Sequence, residues 1–559
     1  MMEQKHRTFA LRVCIFNCLL ILTISYTHGQ SRAIGTLPLI DKGNVIADFN
    51  ENLNHTPAFD RIKKIYSNLV NARGDFRYPV PELFLLDQEA HAAYIDYTTN
   101  HIILEKKAYD ICDRYGDPAI AFLLGHELTH YYEKHAWRSA YAKENNDLDI
   151  GKSLSEMVDG VANETEADYL GGFLAYTAGY GMFEKSDTII QNLYNAYQLD
   201  EKMPGYPNLQ DRMTLCKRST EKLGLLVDAF DLGNNLAATG KFSLAYKVYA
   251  YILHYFQSRE LYNNLGVFAT INAMELFHPD SLKFKYVSEL DIKFQGSRNT
   301  DVPIKTQINN ILDQAIGHFN AAINLDPDYV PAYLNKANAY ALKQEWSKAR
   351  YFLNEEASPK AMASPEKYKK TLEDIKILQA IIEFYSGNVD VAKMTLESMS
   401  NTNPLAKLNL SALNGEKINK SILKKVKNSN DQIDGMTLDS FFIDRKFDVD
   451  KVVEITNDIV FFQNKPFRKG YAIFFLDDMS DKRKKNRYAF ISTVNGYQGS
   501  TQKGISLGDD RKKVIEMYGE PVSEIETTEG QILAYEDIFF IIDKSKVKKW
   551  TLVGINRFR

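Results

Sequence analysis

The sequence is poor in several features that would mark a specialised class of protein. Four cysteines in 559 residues are too few for a disulfide framework, and two of them, Cys14 and Cys18, lie in an N-terminal apolar stretch. The other two, Cys112 and Cys216, either form one disulfide or stay as buried thiols, and neither has a second cysteine at metal-ligand spacing. Charge of one sign is also lacking. The 68 basic and 72 acidic side chains leave a formal net charge of −4, so no global field favours nucleic acid or an anionic membrane. With 45% hydrophobic and 25% charged residues, the composition excludes both disorder and a multi-span membrane protein.

The N-terminus departs from this average. Lys5, Arg7 and Arg12 lead into the apolar run Val13 to Ile24, and a short polar stretch with Gly29 follows. This is the layout of a secretory signal peptide over residues 1–29, with an apolar run shorter than the roughly 20 residues of a bilayer span. It predicts a periplasmic or secreted protein with no transmembrane span after signal removal; an uncleaved anchor is the alternative.

At this length the chain exceeds a single core, and its pattern changes three times. Glu82 to Leu86 reads as a strand, and Ala92 to Tyr97 and His101 to Glu105 read as a hairpin around Thr98, Thr99 and Asn100. Asp117 as N-cap and Pro118 at the first helical position then open a helix expected to run through Ala119 to beyond Trp137, and a second helix is expected from about Val161 to Ala178, ending before Gly179. From about 226 the sequence repeats. Ala315 and Phe319 recur as Ala349 and Leu353, 34 residues on, with Tyr333, Ala337 and Tyr340 between them. Leu232, Gly233, Ala245 and Tyr249 fit the same template, and Leu265-Gly266 restarts it. The period is that of a tetratricopeptide-like array; a generic helical array is the alternative. From about 430, Asp458 to Gln463, Tyr471 to Leu476, Tyr488 to Val494 and Ile532 to Ile542 read as strands. Gly504 to Pro521 reads as turn, short helix and stop.

Chemistry concentrates in His126-Glu127-Leu128-Thr129-His130. Histidines four apart on a helix share one face and can hold one zinc ion, while Glu127, about 100° further round, can reach a water as general base without being a ligand. A catalytic zinc needs a third protein ligand. His135 lies five residues after His130, about 140° round one continuous helix, and is expected to point elsewhere, as a helix-surface or supporting residue. Glu164 is the better ligand, with Asp168 one turn on, where it can accept the free N–H of a ligating histidine. Glu166 lies off that face and is expected to be solvated or salt-bridged.

Together with His135, the His126 to His130 motif and Glu164-x-x-Ala167-Asp168 resemble the M48 gluzincin metallopeptidases, over about residues 80 to 215. The resemblance implies zinc held by His126, His130 and Glu164, with Glu127 as base. Tyr206-Pro207 and Asp211-Arg212 look like the family's later His-Pro…Arg segment, with Tyr206 where a histidine is frequent. Ala92-Ala93-Tyr94 is similar to the family's edge strand, which pairs with substrate backbone; a purely structural hairpin is the alternative.

These readings give a multidomain protein: an α+β zincin-like metallopeptidase domain (30–225), an all-α tetratricopeptide-like repeat domain (226–425) and a small C-terminal α+β domain (430–559). The expected activity is exported, zinc-dependent hydrolysis of protein or peptide substrates, with a client protein on the helical repeats and no nucleic-acid partner. The competing class is a non-catalytic scaffold whose zinc site is structural or silent.

Overall fold

In the computed structural model the chain is described for residues 51–145, 147–149, 160–199, 208–278, 282–287, 304–416, 429–433, 436–438, 451–464, 471–480, 485–493, 496–527 and 529–558. The expected signal peptide and Tyr206-Pro207 lie outside them. No helix among the described residues is long and apolar enough to cross a membrane.

Helix α1 (Pro57–Arg73) leads to a three-stranded sheet of order β1-β3-β2. Strand β1 (Glu82–Leu86) is parallel to β3 (His101–Glu105), and β2 (Ala93–Asp96) is antiparallel to it, with Asp96 accepting from Thr98 N at 2.8 Å in the turn. The hairpin is therefore where the sequence pattern puts it, and β2 is left at the edge. Helices α2 (Lys106–Asp113), α3 (Asp117–Tyr132), α4 (His135–Glu144), α5 (Gly160–Ala175) and α6 (Ser186–Tyr197) follow.

Helix α3 is apolar on almost every side, and each residue from Ala119 to Thr129 is buried, as suits a helix through the middle of a core. It begins one residue earlier than expected. Gly116 is the N-cap, and the Asp117 carboxylate instead accepts from Arg61 Nε at 2.7 Å. Helices α3 and α5 cross at Gly125 and Gly171. A Cβ on Gly125 would lie 2.5 Å from Gly171 O, and one on Gly171 would lie 2.6 Å from His126 N, so a side chain at either point would force the helices apart.

The single helix expected to run beyond Trp137 is two helices. The chain breaks at Glu133 and Lys134, where Lys134 takes φ 55°, and α4 restarts at His135. The cause is tertiary. Lys134 Nζ lies 2.5 Å from Tyr78 Oη and over that ring, and Tyr131 Oη donates to Pro79 O at 2.6 Å, so the segment before β1 holds the turn open.

The helical array comprises α7 (Leu209–Ala238), α8 (Phe242–Leu253), α9 (Arg259–Leu276), α10 (Ile304–Leu325) and α11 (Val330–Leu342), then α12 (Trp346–Tyr351), which passes through a π-helical turn into α13 (Ser358–Met362). Helices α14 (Lys369–Tyr385), α15 (Val389–Met399) and α16 (Pro404–Leu413) complete it. The small and aromatic repeat positions meet in pairs: a Cβ on Gly266 of α9 would lie 2.4 Å from the Phe319 ring of α10. The junction expected near residue 225 falls inside α7, so the metal-motif region and the array share one continuous helix.

The C-terminal region opens on a short antiparallel pair, β4 (Gln432–Ile433) and β5 (Met436–Thr437), and continues as an antiparallel sheet in the order β10 (Ser523–Thr527), β11 (Gly530–Ala534), β12 (Ile538–Asp543), β13 (Lys546–Phe558), β9 (Lys485–Thr493), β8 (Tyr471–Asp478), β7 (Ile459–Asn464), β6 (Lys451–Thr456). Strands β7 (Ile459–Asn464), β8 (Tyr471–Asp478) and β9 (Lys485–Thr493) lie close to where expected. The run Ile532 to Ile542 is not one strand. It folds back on itself as β11 (Gly530–Ala534) and β12 (Ile538–Asp543), because Tyr535 N donates to Ile538 O and turns the chain. Strands β6 (Lys451–Thr456), β10 (Ser523–Thr527) and β13 (Lys546–Phe558) escape a hydrophobic-run reading because charged residues interrupt them. Period-two alternation gives the sheet two buried faces. Phe474, Leu476, Phe490 and Val553 join the core that continues through the helices, while Phe475, Ile491 and Leu552 pack with Val514 of α17 (Arg511–Tyr518). The protein is thus of the multidomain α+β class, many-helical with a C-terminal antiparallel sheet.

Candidate metal centre

The α3–α5 crossing brings His126 and His130 of α3 against Glu164 of α5. One ligand atom from each lies within 4.8 Å of the others. His126 Nε2 is 3.0 Å from His130 Nε2 and 3.4 Å from Glu164 Oε2, and His130 Nε2 is 3.5 Å from Glu164 Oε1. The three donors expected from the sequence therefore converge on one point.

Each histidine is held from behind. Asp168 Oδ1 lies 2.9 Å from His126 Nδ1, as the one-turn spacing from Glu164 anticipates. Asp168 in turn accepts from Arg212 of α7: Nη2 lies 2.8 Å from Oδ1, Nη1 meets Oδ2, and Nη2 also stands 3.5 Å from Glu164 Oε2. Arg212 was part of the resemblance but not of the candidate site, and no spacing rule reaches 44 residues to find it. His135 does not point away. The break at Lys134 swings it back, buried, so that its Nδ1 lies 2.7 Å from His130 Nδ1. Its Nε2 lies 3.3 Å from Glu166 Oε2, and Arg138 Nη2 binds that same oxygen at 2.8 Å, which makes Glu166 salt-bridged.

Glu127 faces a cleft shared with His126, Glu164, Arg212 and Tyr194, closed by the apolar Phe122 and Leu193. His91 and Ala92, immediately before β2, line its other side. That corner is built on Glu105: its carboxylate accepts from Ala90 N and His91 N, its own N–H donates to Ala92 O, and Ala92 sits at φ 68°. A left-handed alanine is uncommon and costs energy, and only such an over-determined network keeps it. Nothing in the sequence pattern marks Ala92 for this role.

Burial opposes the charge on every group here, and neighbours decide the outcome. For His126, burial lowers the pKa but the bonds to Asp168 and Glu164 outweigh it and push it up to about 10. Burial and then the neighbouring His126 drive His130 down to about 3. Burial raises Glu127 to about 7, with His126 pulling it down and Glu164 pushing it up. Burial would raise Glu164 and Asp168 too. The bond to His126, chiefly, holds Glu164 below the carboxylate range, as the Arg212 charge does Asp168.

The donor set fits a dication. A metal would displace the His126 proton, leaving two neutral imidazoles beside the carboxylates of Glu127, Glu164 and Asp168 and the one guanidinium of Arg212, and the nitrogen-rich ligand set suits a borderline metal more than calcium or magnesium. With both histidines held through Nδ1, each presents Nε2 to the common point.

Cys112 and Cys216 are both buried and unpaired, and burial pushes each thiol up to about 12, which makes them inert packing residues. No protein-family model matches this chain, and no curated protein is significantly similar to it.

Proposed function

We propose that this chain is a zinc-dependent metallopeptidase, similar to the M48 gluzincins, that hydrolyses peptide bonds of protein substrates. The observation that carries the proposal is the convergence of His126, His130 and Glu164 beside a cleft that also takes in Glu127. A zinc ion held there would supply Lewis acidity for a substrate carbonyl and lower the pKa of water towards neutrality.

The remaining work falls to the chain itself. Glu127 takes the proton of the attacking water on its carboxylate and returns it to the leaving amine. Arg212 keeps Asp168 ionised and adds its charge to the pull of His126 and His130 on Glu164. Among the described residues no strand pairs with the outer edge of β2, so an extended substrate can add there by backbone hydrogen bonds, with little demand on its sequence. In this reading residues 51–225 form a zincin-like peptidase region, and α7 to α16 are tetratricopeptide-like repeats that present a client protein. The N-terminal residues export the chain to the periplasm or beyond.

The test is metal analysis of the purified protein together with casein digestion by wild type and Glu127→Gln. Zinc near one per chain with digestion by wild type alone supports the reading. Zinc binding with no digestion by either leaves a scaffold with a silent site.

A further inference from the structure

We infer that His135 is a positioning residue for His130: its imidazole fixes the tautomer in which His130 offers Nε2 to a metal. The inference rests on the metal reading of the site and adds to it a residue whose expected place on a continuous helix pointed it elsewhere.

For Nε2 of a histidine to carry a free lone pair, the ring's proton must sit on Nδ1. His126 solves this with a carboxylate, since Asp168 can only accept. His130 has no carboxylate at Nδ1. Its partner is another imidazole nitrogen, His135 Nδ1 at 2.7 Å, and between two such atoms there is room for one proton. Which ring owns it is decided one step further out. His135 Nε2 faces Glu166 Oε2 at 3.3 Å, an oxygen already bound by Arg138 Nη2 and therefore ionised, so the His135 proton belongs on Nε2. Its Nδ1 then presents a lone pair, and His130 Nδ1 donates to it. The reverse tautomer would set two lone pairs against each other at Glu166 and protonate His130 on the atom that faces Glu164 and His126.

The backbone supplies the rest of the case. On an unbroken helix a residue five positions after His130 lies about 140° round the axis. The left-handed Lys134 removes that offset and brings the two rings edge to face, with centroids 4.7 Å apart at 86°, while His135 is only 3% exposed. The half-buried pair of Arg138 and Glu166 thus hands its charge to one buried ring, His135, which ends on the His130 Nδ1.

The experiment titrates zinc into full-length protein against a chromogenic chelator, for wild type, His135→Leu, His135→Asn and Glu166→Ala, with a thermal melt of each metal-free variant as a fold check. Leucine keeps the bulk and loses the acceptor; asparagine keeps an acceptor oxygen near the Nδ1 position. His135→Leu should bind zinc about 10- to 100-fold more weakly, the scale of a lost outer-shell partner. His135→Asn should recover most of that loss, and Glu166→Ala should fall between. Equal weakening in the leucine and asparagine variants, or wild-type affinity in the leucine variant, overturns the inference. Should His135→Leu fail to fold, wild-type affinity in Glu166→Ala overturns it instead. A wild-type protein that binds no zinc removes the metal reading itself, a result distinct from all of these.

Discussion

Two clusters of buried charge are tied to α5, one near its start and one just past its end. At the start, Glu164 and Asp168 meet His126, His130 and Arg212. Past the end, Tyr176 Oη donates to Asp231 of α7 at 2.5 Å, and Lys549 of β13 reaches Asp231 and Glu529 at 3.6 and 3.7 Å. Both are pinned to α7, and both put carboxylates where water is scarce. They differ in where the balancing charge comes from. In the second, the ammonium of Lys549 stands between Asp231 and Glu529 and joins the C-terminal sheet to the helices, and burial pushes the Asp231 carboxyl up instead of leaving it fully ionised. In the first, three ligand atoms converge on one spot, and beside Arg212 the positive charge comes from a proton on His126, whose pKa is pushed up to about 10. Three ligand atoms that converge in this way could hold a metal ion in place of that proton.

The largest expected effect falls on the first cluster. Glu127→Gln leaves every ligand in place and removes the proposed base, so hydrolysis should fall by about 10² to 10⁴ while zinc content stays at the wild-type level. Parallel metal analysis and peptide hydrolysis measure this; a variant that loses zinc as well would make Glu127 part of the ligand set.

Next comes the second cluster. Lys549→Met strands Asp231 and Glu529 without their cation and should cost on the order of 3 kcal/mol in urea unfolding, with zinc affinity unchanged. If zinc affinity falls along with stability, the two clusters are coupled through α5 and α7 and the contrast between them fails. In the opposite sense, Asp168→Ala should weaken zinc binding about 10- to 100-fold, since Arg212 and His126 both lose the group that orients them. A zinc titration with unchanged affinity would leave Asp168 with a structural role only.

How far each cluster was legible in the sequence follows from how local its contacts are. His126, His130, Glu164 and Asp168 were readable because helical spacing alone places i and i+4 on one face, and the structure keeps both turns. The hairpin was readable from its alternation and polar turn, and the second helix from its spacing, whereas the first, expected to run beyond Trp137, breaks at Lys134. His135 was misplaced because nothing in Glu133-Lys134 disfavours a helix; Tyr78, more than 50 residues earlier, makes the break. Arg212 and Lys549 reach their partners across the fold, and a basic residue on a helix or strand looks the same in sequence whether it is solvated or buried. The strand β13 was missed for a related reason: its lysines read as surface, although Val547, Trp550 and Leu552 are buried on one face.

The smallest effect tests whether a half-buried carboxylate outside both clusters titrates as its partial burial requires. Glu275, near the end of α9, has one charged neighbour among the causes that shift it, Lys241, and burial outweighs that attraction and pushes it up from 4.5 to about 7. A carboxyl whose pKa is higher in the folded than in the unfolded chain contributes stability that is fully present below the unfolded value. That contribution is lost as pH rises from about 4.5 through about 7, because ionisation then costs more in the folded state. Glu275→Gln keeps the shape and removes the titration. Because Glu275 retains some solvent contact, the expected difference is modest: the variant should gain about 1 kcal/mol relative to wild type between pH 5 and pH 8. Urea midpoints of both proteins at the two pH values measure it. A difference between variant and wild type that stays the same from pH 5 to pH 8 would mean that Lys241 outweighs burial and keeps Glu275 ionised across that range.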